Sequence, residues 1–331
     1  MPATKIRLRF TAPLHIAACG VGFERVGWVI HSDTLYSAIF SVWNQIDPDE
    51  AQQHLQEKSP PPFLLSSAFP YQDEAEFYPK PLALPPNFAS RHRKAFSKVQ
   101  FIEAALFQQI IAGESPPFAP ECTRQGGRFW MSPASSGLKS NDSIVYETET
   151  PRVVVDRVTN QGMLYFVSEL RFAENAGLFF WTQIDDKIRD RFMQVLRMLG
   201  DEGLGLDRTS GKGLFEVVKD PPKTVLPGAP NASRFLTLSL YNPTRTEINT
   251  PLLQNSGYEL VQRGGYVFGH SYRRQSLTMF AEGSTFSGAP NAQYGDKRKV
   301  LDKNFSGSTL THDVYRFGYA FPIGFHPVAT P

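Results

Sequence analysis

The chain opens on an alternation. Ile6, Leu8 and Phe10 are separated by Arg7 and Arg9, and a period of two puts the apolar set on one face of a strand. A glycine-rich stretch follows over residues 20–27. The apolar run Trp28, Val29, Ile30 then leads to Ser32 and Asp33, residue types that cap helix N-termini. Leu35, Ile39, Val42 and Trp43 recur at helical spacing, and Pro48 limits the continuation. Val99, Ile102, Leu106 and Ile110 predict a second helix that ends at Gly113. Residues 113–143 are rich in Gly, Pro and Ser and predict a loop or insertion.

Residues 153–155, 163–172 and 178–181 read as strands. Ile188, Phe192, Val195 and Leu199 mark one face of a helix between an acidic start and Gly200. A glycine loop over residues 200–213 and a short strand over 214–218 come next. Five prolines and glycines between Pro221 and Pro230 predict a linker. Beyond it, residues 236–240 alternate again, and residues 258–261, 266–270 and 277–280 add further strands. The pattern predicts an α+β fold of two ferredoxin-like modules, one over residues 1–220 with insertions and a smaller one over 231–331, joined by the linker 221–230.

Composition narrows the function. With 331 residues, 41% hydrophobic and 20% charged, the chain is globular in type. No apolar run approaches the length of a membrane span, and the N-terminus lacks the apolar core of a signal peptide, so a cytoplasmic protein is expected. Two cysteines, Cys19 and Cys122, exclude a disulfide framework and a Cys-rich zinc site. The net charge of +2 argues against a uniformly basic nucleic-acid binder. That total is an average: residues 47–78 carry seven acids against one base, a net −6, which leaves +8 on the remainder.

The glycine loop is the most informative local feature. Glycines without Cβ atoms let backbone N–H groups approach an anion, and Arg208, Ser210 and Lys212 add charge and a hydroxyl. Neither P-loop nor Rossmann spacing is met, since five residues separate Gly205 from Gly211 and Arg208 takes the third glycine position. A phosphate cradle and a plain surface turn both fit. The basic run Arg91, His92, Arg93, Lys94, with Lys98 beyond, is flanked by Phe88 and Phe96, a pairing that suits stacking on single-stranded nucleotides as well as an ordinary solvated face. Lys297, Arg298 and Lys299 form a second run, diluted by Asp296 and Asp302. His15 and His31 lie near glycines and hydroxyls, where a metal-independent ribonuclease would place an acid and a base. Asp156 and Arg157 suggest a charge pair at a strand end. No zinc-type histidine spacing is present, and no metal or cofactor is expected.

Taken together, several segments resemble one family. They are residues 11–16 (TAPLHI), 31–38 (HSDTLYSA), 79–82 (PKPL), 151–159 (PRVVVDRVT), 200–215, 238–244 (LSLYNPT), 257–263 (GYELVQR), 280–286 (FAEGSTF) and 314–320 (VYRFGYA). The family is the fourth subunit of the Csm effector complex of type III-A CRISPR systems, within the RAMP superfamily of RNA-binding proteins. The resemblance implies a non-catalytic subunit that holds the 5′ repeat-derived handle of CRISPR RNA. It also implies partners: the large polymerase-type subunit, and the RAMP subunit that forms the backbone of the complex. It places Gly203, Gly205, Arg208, Ser210, Gly211, Lys212 and Gly213 in a loop facing RNA, and His15, His31, Ser32 and Asp33 in a strand-to-helix region facing the handle. Arg157 falls on the family's Asp-Arg pair. Arg91, Arg93 and Lys94 join the set as candidate RNA contacts on their charge. A processing ribonuclease of the same superfamily and a protein-only assembly adaptor are the alternatives.

Overall fold

The computed structural model describes residues 2–17, 26–56, 62–133, 143–219, 225–267 and 269–328. The expected glycine-rich stretch at 20–27 lies mostly outside them, as do residues 221–224 of the expected linker and 134–142 of the expected insertion.

The N-terminal part contains strands β1 (Ala3–Phe10), β2 (Phe63–Leu65), β3 (Phe69–Gln72), β4 (Ala75–Pro79), β5 (Phe101–Glu103), β6 (Thr123–Arg124), β7 (Phe129–Trp130), β8 (Val145–Val155), β9 (Gly162–Phe172), β10 (Ala176–Ile184) and β11 (Phe215–Val217). Its helices are α1 (Ser32–Ile46), α2 (Pro48–Gln56), α3 (Arg93–Phe96), α4 (Ala104–Ile111) and α5 (Arg189–Glu202). The C-terminal part adds β12 (Arg234–Thr237), α6 (Arg245–Ile248), β13 (Leu260–Arg263), β14 (Leu277–Phe280), β15 (Thr285–Ser287), β16 (Gly295–Leu301), β17 (Val314–Tyr319) and β18 (Pro322–Gly324).

The main sheet runs β11-β1-β10-β3-β4-β5-β7-β6, with β2 also paired to β10. Its pairings are antiparallel except β5 with β7. The C-terminal part forms smaller sheets, β15-β12-β18 and the pairs β13-β14 and β16-β17. The expected α+β class therefore holds.

Local signals explain several elements. On α1, Leu35, Ile39, Val42 and Trp43 are fully buried, as their spacing predicts. Pro48 ends α1 and also starts α2: the Asp47 carboxylate accepts from the Glu50 N–H at 3.0 Å, with proline at the first helical position. Other expectations are corrected. The helix predicted from Val99 begins only at Ala104, because Phe101–Glu103 is drawn into the sheet between β4 and β7. Among the described residues of 266–270 there is a bridge from Tyr266 to Arg273 and no strand. The strand expected at 153–155 is the end of an eleven-residue arm, β8, paired with β9 throughout its length.

One core spans both parts. Leu236, Leu238, Phe317, Phe321 and Phe325 join the same buried cluster as Leu35, Tyr36 and Phe40. Tyr36 and Phe40 stack on Phe317 at 4.5 and 5.2 Å between ring centroids. Within the predicted linker, Pro227 and Ala229 are buried, the Ala229 N–H donates to the Gly324 carbonyl, and the Gln108 side chain brackets Gly228.

Candidate nucleic-acid interface

A cleft of about 420 Å³ opens between the two parts. One wall is the His15–Ala17 segment, the outer face of α1 (Thr34, Ser37, Ser41) and loop residues Leu204 to Leu206 with Arg208. The other wall carries Arg263, Tyr266, His270, Arg274 and residues 309–315. Three guanidinium groups and three histidines (His15, His270, His312) face Asp313 as the lone carboxylate residue of the lining. Burial, followed by the neighbouring Arg316, lowers Arg274 to about 10. Burial also lowers Arg208. Cations held against desolvation at a concave surface favour an anionic ligand.

The glycine loop forms the rim. It follows α5 and is strapped to the segment after β1: the Leu206 N–H donates to the His15 carbonyl at 2.9 Å and the Gly213 N–H to the Pro13 carbonyl at 2.8 Å. Gly205 and Gly213 sit at φ +91° and +72°, and a Cβ at either would collide with a backbone carbonyl oxygen, of His15 and Leu204 respectively. Gly203 is buried beside them, while Ser210 and Gly211 are exposed. The loop's N–H groups are not the open cradle its spacing implies. Those of Leu204, Leu206, Ser210, Gly211 and Gly213 already donate to carbonyls. Nor is its charge free. Lys212 pairs with the buried Glu169 of β9 at 2.9 Å, Arg208 lies 3.8 Å from Glu202, and Asp207 is held by Arg152 of β8 at 2.8 Å. Of the loop's two cations, only Arg208 lines the cleft.

Residues 31–33 lie in the seam between the two parts. His31 precedes α1 without a side-chain cap, so the expected Ser32/Asp33 cap does not form. The Ser32 hydroxyl accepts from the Leu240 N–H instead. Asp33 is fully buried and takes Arg263 in a two-pronged contact at 3.1 and 3.2 Å, together with Arg316. Burial would raise its carboxyl, but the two guanidiniums hold it well below the usual carboxylate range. His31 meets Glu282 at 2.8 Å, and Ser67 donates to the same carboxylate. Burial would raise Glu282 as well; His31 and Ser67 keep it low. His15 is buried, its Nδ1 against the Ser168 carbonyl. His31 is absent from the cleft lining, so the two histidines do not share that site.

The remaining candidates lie apart. Arg91, Arg93 and Lys94 are exposed around α3 and line no part of the cleft. Phe88 and Phe96, expected to offer stacking faces, are buried in a ring cluster with Phe118 and Trp130. Arg157 is exposed in the turn between β8 and β9. Asp156 turns its carboxylate onto the Val158 N–H and Thr159 hydroxyl, so it forms no pair with Arg157. Lys297 reaches the Leu55 carbonyl, and Lys299 pairs with Asp302 and Asp313. Arg263 and Arg316, which support the cleft, fall in the family-like segments 257–263 and 314–320, and Arg274 follows Arg273; none of the three is among the expected site residues. Among the described residues, no group of three or more His, Cys, Asp or Glu is placed to hold a metal ion.

Comparison with known proteins gives this arrangement its class. The fold matches a chain of a Csm3–Csm4 subcomplex of a type III-A CRISPR interference complex, with TM-score 0.64 and 17% identity over 99% of this chain and all of that one, and a chain of a Csm1–Csm4 cassette, with TM-score 0.62 and 21% identity over the same shares. The model of the CRISPR Csm4 C-terminal domain matches residues 230–325. Across 311 residues the chain is 30% identical to the Csm4 protein of Thermococcus onnurineus, covering 88% of this chain and 90% of the relative; the Streptococcus thermophilus Csm4 is 25% identical over 291 residues, or 81% and 84%. The chain belongs to the Csm4 family of CRISPR proteins. No described helix is long and apolar enough to cross a membrane.

Proposed function

We propose that the chain is a non-catalytic, cytoplasmic RNA-binding subunit of a type III-A Csm complex. It grips the single-stranded 5′ handle of CRISPR RNA and bridges the large polymerase-type subunit to the backbone subunit. The observation that carries the RNA reading is the cleft, where Arg208 and Arg274 line a space of nucleotide dimensions and Arg263 beneath them is held by Asp33. Guanidinium groups pair with phosphate oxygens in forked geometry, and Tyr266 and Tyr315 offer rings for unpaired bases. Solved Csm4 structures with Csm1 and with Csm3 support the bridging role.

In this reading Arg208 and Gly205 touch the handle, while the buried His15 holds the loop beneath them through its backbone carbonyl and its contact with Ser168. Gly203, Ser210, Gly211, Lys212 and Gly213 shape the rim, and His31, Ser32 and Asp33 act through the groups they position. Arg157 meets RNA only where the strand passes the β8-β9 turn. Two ferredoxin-like modules remain the architectural proposal. The order β11-β1-β10-β3, with α1 after β1 and α5 before β11, supports it for the first.

The test is a salt titration of handle binding by the assembled complex. Replacing Arg208 and Arg274 with Ala is expected to weaken binding and lower the salt slope by about 0.7 per lost phosphate contact, as for single strands. An unchanged slope, with no handle crosslinks to residues 200–213 or 263–274, favours a protein-only adaptor.

A further inference from the structure

The basic run at Arg91 is left unused by the cleft. It is part of a larger surface. Residues 77–102 contain Lys80, Arg91, Arg93, Lys94 and Lys98 and no acid, and residues 123–133 add Arg128 and the buried Arg124, again with no acid. The fold makes the two stretches contiguous. The Lys80 ammonium lies over the Phe96 ring at 5.1 Å, Lys98 packs beside Gly127, and the Arg128 carbonyl accepts from the Gln100 and Phe101 N–H groups. No ion pair among the described residues engages Arg91, Arg93, Lys94 or Lys98, and all four are exposed.

Two observations separate this surface from RNA recognition. β5, which follows it, is five strand spacings from β11, which follows the glycine loop, or about 24 Å across the sheet. Its aromatic residues also point inward: Phe88 and Phe96 are 7% and 8% exposed, locked against Trp130. Single-strand surfaces combine cations with exposed rings, and here the rings are withheld. The same ring cluster fixes the backbone beneath α3, so the cations are displayed on a firm support. Four exposed cations with no ion pair among the described residues and no base-stacking face suit carboxylates on a folded partner.

We propose that Arg91, Arg93, Lys94 and Lys98 form a docking surface for an acidic face of a neighbouring protein subunit, independent of the RNA cleft, with Lys80 over Phe96 and Arg128 over Trp28 at its edge. This rests on membership of a multi-subunit complex, as read above. Such a surface steers association and makes assembly sensitive to salt.

The test compares two triple variants co-expressed with the large and backbone subunits. One carries Arg91→Glu, Arg93→Glu and Lys94→Glu. The other reverses three exposed cations elsewhere, Lys187→Glu, Arg197→Glu and Lys303→Glu. In 0.15 M salt the patch variant is expected to give at least tenfold less assembled complex, with the control near wild type. Melting temperature and handle binding by the chain itself should match wild type in both. The milder set Arg91→Ala, Arg93→Ala, Lys94→Ala should fall between, which keeps the test valid if the charge reversal misfolds. Equal losses in both triple variants, no loss in the patch variants, or loss of handle binding with assembly intact would overturn the proposal. The last result would assign the patch to RNA; failure of the cleft variants above leaves it untouched.

Discussion

Residues 31–33 and 207–212 are made of similar chemistry, a carboxylate and hydroxyls next to cation-capable side chains, and the fold uses them in opposite ways. The first group is in the seam, where Asp33 is fully buried and the side chains of His31, Ser32 and Asp33 each meet a partner more than 200 residues away. The second stands half-exposed at the cleft rim, where its ion pairs are with near neighbours in space and remain open to water on one side. Motif chemistry alone therefore does not mark a ligand contact. Desolvation decides: a buried carboxylate between two arginines is committed to structure, whereas a rim arginine 3.8 Å from its acid can exchange that partner for a phosphate.

The contrast breaks most sharply at Asp33. Asp33→Ala leaves Arg263 and Arg316 buried without their carboxylate and is expected to cost about 3–5 kcal/mol, read as a large drop in the denaturation midpoint. If the melting curve barely moves, the seam is not the structural joint described here. At the rim, Gly213→Ala forces a left-handed backbone and a carbonyl collision, and should cost about 1–3 kcal/mol; a neutral result would show that the loop has room to shift.

Acid titration sharpens the same point. Asp33 is held low in the folded chain, so its contribution is present above the unfolded carboxylate value of about 3.9 and is lost as pH falls below it. Stability should decline on that acid limb, and Asp33→Asn, already weakened, should show a flatter decline. Equal slopes would remove Asp33 as the source. The smallest effect is expected at the β8-β9 tip. Val154→Thr and Leu164→Thr change side chains that are more than half exposed and should alter stability by no more than about 0.5 kcal/mol in chemical denaturation.

Periodic segments were legible in the residues themselves. α1 and α5 followed their apolar spacing, and β1 its alternation. What failed locally failed for tertiary reasons. Phe101–Glu103 has helical neighbours and becomes a strand because β4 and β7 offer ladder partners. β8 extends back to Val145 through the Tyr-Glu-Thr-Glu-Thr stretch, whose exposed positions show no hydrophobic period. The glycine loop was visible as a feature, but its partners Glu169 and Arg152 lie on the preceding hairpin. The seam was the least legible: Asp33 meets residues 230 and 283 positions away, a pairing that no local pattern encodes.

The β8-β9 ribbon adds a constraint of timing. Its backbone ladder runs the full length of both arms, and toward the tip Val153, Val154, Val155, Met163 and Leu164 are each more than half exposed. An open-edged apolar ribbon can be extended by any similar strand that diffuses past. For a newly made chain, the dangerous interval lies between folding and incorporation into a larger body. The yield of usable subunit in a cell is then set by how quickly partners arrive, a matter of stoichiometry and synthesis order as much as of the free energy of the fold.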